Sequence, residues 1–274
     1  MNAIPYRKTL HFILSGKGGV GKTVVARIVS EYVTDRCVPP LCFDTDQTNA
    51  VFAAVPAFNV EKVNLFDGED KLNPSRFDQM MGTIIESNAP VVIDSGSSSY
   101  FETLEYIAEN DLIETLHDAG FDVYLHCIVT GGAAMRFTVE NCVELAEWFG
   151  ERANICVWVN HFWEPVEKDG KPFIEWREFV EHEHLIAAVM EIPRMNSQMT
   201  QADFSLMLKE NLSFAEATAP DSHLNTMQRS RLMRVCRTLF GAMDSAFGNF
   251  RPETKAKKES AKPATAIKEG EADA

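Results

Sequence analysis

The segment Gly16-Lys17-Gly18-Gly19-Val20-Gly21-Lys22-Thr23 constrains the fold more than any other part of the chain. It fits the phosphate-loop pattern G-x-x-x-x-G-K-[ST], with Gly16, Gly21, Lys22 and Thr23 in the fixed places. Glycines there let the backbone turn tightly and bring N–H groups onto phosphate oxygens with no Cβ in the way. Such a loop needs a strand before it and a helix after it, whose positive end faces the same anion. Both are present: the apolar run Leu10–Leu14 precedes it, and Val24, Val25, Ile28, Val29, Tyr32 and Val33 follow at helical spacing. In this reading Lys22 reaches the β- and γ-phosphates, the Thr23 hydroxyl takes Mg²⁺, and the backbone of Gly18, Gly19 and Val20 cradles the anion. The alternative is a glycine-rich turn without a ligand.

Further along, short apolar runs alternate with helical patterns, which predicts an α/β fold with a mostly parallel sheet flanked by helices. The runs are Pro40–Asp44, Pro90–Asp94, Val123–Thr130, Asn154–Asn160 and Ala187–Pro193. Most show little polar alternation, as expected of strands buried on both faces. Helical spacing predicts helices over about Pro74–Glu86, Phe101–Leu116 and Ala133–Trp148, and a final helix within Leu224–Phe247. That last helix gathers Leu232, Val235, Leu239, Met243 and Phe247 on one face. Core packing is the expectation for it, with a membrane-surface role as the alternative. The charged, aromatic stretch His161–Leu185 reads as an excursion over the surface. One domain is expected over residues 1–250, followed by a disordered tail over 251–274 with almost no bulky apolar residues.

A formal charge of -14 over 274 residues argues against a broad DNA-binding face, which needs Lys and Arg to neutralise phosphates. Six cysteines include no C-x-x-C pair, so single reduced thiols are expected rather than zinc or iron–sulfur sites. No apolar stretch is long enough to span a bilayer and no signal peptide is evident, so a cytoplasmic protein is expected.

Three aspartates end strand candidates: Asp44 and Asp46 in FDTDQTNA, and Asp94 in VVIDSGSSS. A parallel sheet binds ligands at these carboxyl ends, and a phosphate loop needs carboxylates near its Mg²⁺ and attacking water. Within the loop itself, the second lysine, Lys17, has no task. The pattern K-G-G-x-G-K-T resembles the deviant Walker A motif of the ParA/MinD family of ATPases, a branch of the three-layer αβα P-loop NTPases. The resemblance implies that Lys17 reaches across a nucleotide-sandwich homodimer to the partner's phosphates; a solvated loop lysine is the alternative. It implies that Asp46 positions water and serves Mg²⁺, and that Asp94 contacts Mg²⁺ through water. Asp44 then has a supporting role, or caps a turn. Asn160 occupies the place of an adenine-binding asparagine, with strand termination as the alternative, and Pro193 that of the proline beside the base. Where family members have Pro-Gln after the second aspartate and Pro-Pro or Pro-Ala after the third, this chain has Gln47-Thr48 and Ser95-Gly96.

The segments IVTGG, VWVNHFWEPVEKDGKPF, FSLML and RSRLMRVCRTLF extend the resemblance toward proteins of plasmid conjugative transfer. That implies an ATP- and Mg²⁺-dependent dimeric switch ATPase, slow alone, with a protein partner in the transfer machinery. The alternatives are a positioning or adaptor protein with little hydrolysis, and a partition-type ATPase.

Overall fold

The computed structural model describes residues 7–67, 71–195 and 197–247. The expected tail over 251–274 lies outside the described residues. A seven-stranded sheet forms the centre. Its strands are β1 (Lys8–Ile13), β2 (Leu41–Asp44), β3 (Glu61–Lys62), β4 (Val91–Asp94), β5 (Phe121–Thr130), β6 (Asn154–Asn160) and β7 (Ile186–Ile192). In space they run β7-β6-β5-β1-β4-β2-β3. Every neighbouring pair is parallel. All strand carboxyl ends therefore meet one edge of the sheet, with β1 between β4 and β5.

Helices cover both faces. The first layer holds α1 (Lys22–Arg36), α6 (Gln198–Lys209), the single turn α7 (Phe214–Thr218) and α8 (Thr226–Phe247). The second holds α2 (Pro74–Glu86), α3 (Tyr100–Glu109), α4 (Leu112–Asp118) and α5 (Met135–Phe149). Strand alternation sorts the core between them. Leu10, Phe12, Leu125, Cys127, Ile155 and Val157 join the α2–α5 cluster. Ile13, Ile128, Cys156 and Trp158 join the α1/α8 cluster. The apolar face of α8 is in that second cluster, with Leu232, Val235, Leu239, Met243 and Phe247 all buried, so it packs on the sheet as the core reading expects. Each such large side chain contributes about 1.5–3 kcal/mol.

A buried polar chain crosses the same layer: Trp158 Nε1 donates to His126 Nδ1 at 3.0 Å, and His126 Nε2 lies 3.0 Å from His11 Nδ1. An indole N–H can only donate, so the His126 proton sits on Nε2 and is given to His11. Burial holds His11 neutral, down to about 3, and lowers His126 as well.

One turn of α1 anchors the helices that follow the sheet. Arg27 donates to the carbonyls of Leu208 and Leu212 at 3.1 and 2.7 Å, satisfying groups at and beyond the end of α6. Glu31, one turn on, accepts from Phe214 N and Ala215 N at 2.7 and 2.6 Å, at the start of α7. Burial pushes the Glu31 carboxyl up to about 7, against those two N–H bonds and the nearby Arg27.

Three elements depart from the sequence reading. The helix expected over Phe101–Leu116 is two helices, broken where Asp111 turns left-handed at φ 47° and the Asn110 side chain takes the Tyr106 carbonyl at 2.9 Å. β3 pairs with β2 although it has two residues and both are exposed. The excursion begins with a hairpin in which Glu167–Lys168 pairs with Lys171–Pro172 across Asp169-Gly170, both left-handed. Phe173, Trp176 and Phe179 then pin it to the α2–α5 core, and Trp176 Nε1 donates to Lys171 O at 2.9 Å.

Candidate functional site

The phosphate loop joins β1 to α1 at the carboxyl edge of the sheet. Gly19 and Gly21 have φ of 77° and 108°, the left-handed region that glycine enters without a Cβ penalty, and the helix starts at Lys22. Two asparagines brace the loop. Asn141 on α5 accepts from Gly16 N at 3.1 Å, and Asn160 at the end of β6 donates to Val20 O at 2.9 Å. The other end of the Asn160 amide accepts from Phe162 N at 3.0 Å. Inside the loop, Lys22 Nζ donates to Lys17 O at 3.3 Å. Lys22 is buried; burial lowers its pKa and the charges of Asp94 and Asp46 oppose that. Lys17 stands exposed, and its ammonium bonds no group among the described residues.

The acids converge on the same place. Thr23 Oγ1 donates to Asp94 Oδ2 at 2.6 Å. Burial pushes the Asp94 carboxyl up to about 7, opposed by the Thr23 bond and by Lys22. Asp94 Oδ1 is buried with no hydrogen-bond partner among the described residues. An orphaned carboxylate oxygen beside a threonine hydroxyl is a hard-oxygen donor set, which fits a hydrated Mg²⁺. Asp44 is fully buried and accepts from Asp46 N at 3.0 Å and Ala53 N at 2.9 Å, so it organises the segment after β2. Asp46 accepts from Thr48 N and Asn49 N at 2.9 and 3.0 Å through one oxygen.

Thr23 and Asp46 face a cavity of about 600 Å³, with Asp44 and Asp94 buried behind them. Gly18, Gly19, Gly21, Lys22, Thr23 and Asp46 line one end. Phe162, Trp163, Ile192, Phe204 and Leu208 line the other, with Asn160 also in the wall. Pro193 follows β7 half-buried and does not line the cavity, whereas its neighbour Ile192 does. Asn141 and the aromatic end escape the sequence reading. The Asn141 contact spans 125 residues, and nothing local marks it.

A parallel sheet with this loop between its first strand and first helix defines a P-loop α/β protein. No family model matches the chain. Two proteins named TraL from Escherichia coli are 37% and 35% identical to it over 237 residues, covering 86% of this chain and 98% of each relative. The chain belongs to the TraL family. Among solved structures, the MinD cell division protein of Aquifex aeolicus gives a TM-score of 0.49 at 14% identity, covering 85% of this chain and 97% of that one. The MinC:MinD complex of the same organism gives 0.48 at 13%, covering 85% and 96%. The fold is defined by the strand order and the loop.

Proposed function

We propose that this chain is an ATP- and Mg²⁺-dependent switch of the ParA/MinD type that pairs through its nucleotide, hydrolyses ATP slowly, and acts in plasmid conjugative transfer from the cytoplasm. The observation that carries the site reading is the meeting of Lys22, Thr23 and Asp46 at one cavity on the carboxyl edge of β1, β2 and β4, with Asp94 buried beside it and bonded to Thr23. Lys22 and the loop N–H groups hold the phosphates. Thr23, with Asp46 and, through water, Asp94, would hold Mg²⁺, which would supply charge neutralisation on the phosphate oxygens. Asp46 orients the attacking water from the segment that Asp44 anchors.

Pairing is supported by Lys17, which extends outward from the loop, and by exposed apolar side chains on the same edge. Val51, Phe101, Phe137 and Met199 are 37–67% exposed, and each follows the end of a different strand. Exposed apolar groups in the segments that follow the strand ends suit an interaction face beside the loop. No helix among the described residues is long and apolar enough to cross a membrane.

A second reading, an adaptor with little hydrolysis, is favoured by Asp46: its bonded oxygen already holds Thr48 N and Asn49 N. The two are separated by phosphate release from the wild type and Asp46→Ala, with solution mass by light scattering in Mg²⁺ with ADP or ATP. The switch requires that Asp46→Ala abolish turnover and form an ATP-specific dimer that is lost when Lys17→Ala is added. A monomer under every condition, or turnover unchanged in Asp46→Ala, refutes it.

A further inference from the structure

We propose that Trp163 is the base platform of this site, so that the chain selects purine nucleotides by ring stacking rather than by reading the edge of the base. The inference rests on the nucleotide reading above and assigns the part of the ligand that the loop does not touch.

The cavity is chemically divided. Its loop end offers N–H groups, an ammonium and oxygen ligands, the chemistry of a phosphate site. Its far end is formed by Phe162, Trp163, Ile192, Phe204 and Leu208, which suit a flat, weakly polar ring. Within that end Trp163 stands apart. It is 66% exposed, whereas Trp158 is fully buried and Trp176 is 4% exposed. The other aromatic members, Phe162 and Phe204, are buried and pack on each other with centroids 5.7 Å apart. Core packing therefore leaves the indole with free surface at the cavity wall.

The indole is also positioned. Phe162 meets it edge to face, with centroids 4.6 Å apart and planes at 83°. Phe162 is in turn fixed by its N–H bond to Asn160 Oδ1 at the strand end. The same asparagine braces the phosphate loop through Val20. The two ends of the cavity thus share one strut, which sets the spacing between an anion and a stacked ring. Asn160 is buried with both ends of its amide bonded within the protein. One N–H and one lone pair of that amide are committed to Val20 and Phe162, which fixes its orientation from within the protein, whereas the indole of Trp163 offers an uncommitted ring face to the base.

The test measures dissociation constants of ADP, GDP, CDP and inorganic pyrophosphate by calorimetry on the wild type, Trp163→Ala and Trp163→Phe, with Mg²⁺ throughout. Base–aromatic stacking is lost on truncation at a cost of about tenfold or more in affinity. Trp163→Ala is expected to weaken ADP and GDP by about that factor and to leave pyrophosphate within about twofold. Trp163→Phe recovers most of the loss, and the wild type binds ADP and GDP within about threefold of each other and CDP more weakly. If Trp163→Ala leaves ADP unchanged, or weakens pyrophosphate equally, the platform is refuted while the phosphate site stands. An effect confined to the ATP-dependent mass also refutes it, placing Trp163 in pairing instead. Wild-type protein that binds neither ADP nor pyrophosphate removes the site reading, and the platform falls with it.

Discussion

Replacing Asn160 with alanine distinguishes a residue that reads a base from one that braces a loop. In the structure its amide donates to Val20 O and accepts from Phe162 N, at 2.9 and 3.0 Å. The substitution removes two hydrogen bonds worth about 1 kcal/mol each. It also leaves the buried Phe162 N–H without an acceptor, a further penalty of about 1 kcal/mol or more. The expected loss is about 3 kcal/mol, which for a domain of this size lowers Tm by roughly 6–12 °C. Because Val20 sits inside the phosphate loop, the same change loosens the anion cradle. Asn160→Ala is expected to weaken pyrophosphate by about tenfold through the loop, and ADP and GDP by at least as much because the same change frees Phe162 beside Trp163. Thermal denaturation followed by circular dichroism gives the first number, and calorimetric titration of the three ligands gives the second. A variant that keeps the wild-type Tm and pyrophosphate affinity while losing only its ADP affinity would falsify the brace and return Asn160 to the base.

Four further substitutions test other parts of the structure. Glu31→Gln removes a carboxyl that titrates near 7 when folded against an ordinary 4.5. A raised carboxyl takes up a proton on folding between those values, so its stabilising contribution is complete below about 4.5 and is lost as pH rises through about 7. The wild type should therefore gain on Glu31→Gln by about 3 kcal/mol between pH 8 and pH 4.5 in urea denaturation, and a flat difference refutes the shift. Thr23→Ala deletes the hydroxyl bonded to Asp94, and the advantage that Mg²⁺ gives ADP binding over EDTA should fall by about tenfold; an unchanged Mg²⁺ advantage removes Thr23 from the metal. Gly82→Ala places a methyl in open space on the exposed face of α2 and should stabilise by about 0.5–1 kcal/mol, whereas Gly131→Ala puts one 2.3 Å from Pro165 O and should cost about 1–3 kcal/mol, both read from urea midpoints.

The sequence made legible those features whose cause is local. α2 runs over the expected Pro74–Glu86 because a capping Asn73, a proline at its start and an amphipathic pattern all act within one segment. β4, β5 and β6 match their apolar runs to within a few residues because each is buried on both faces, and the half-buried edge strand β7 lies within one residue of its run. β3 gave no such signal, since two exposed residues at a sheet edge need no apolar side chain. The break at Asp111 was hidden because aspartate there satisfies helical spacing and tolerates a left-handed turn equally well.

The two tryptophans of the excursion show why the site was only half readable. Trp176 has Phe173 and Phe179 three residues to either side, and the three rings pack into one cluster. Trp163 directly follows Phe162, which takes the place in the core and leaves the indole outside. Composition treats the two alike; neighbour spacing separates them. The candidate site groups Lys22, Thr23, Asp46 and Asp94 belong to short motifs whose chemistry names them. The groups that hold those motifs in position, Asn141 and Asn160, act across 125 and 140 residues. A phosphate site depends on both, because loop dipoles stabilise charge most when their orientation is set before the ligand arrives. What the loop can bind is thus written in eight consecutive residues, and how rigidly it is held ready depends on two asparagines that only the fold brings to it.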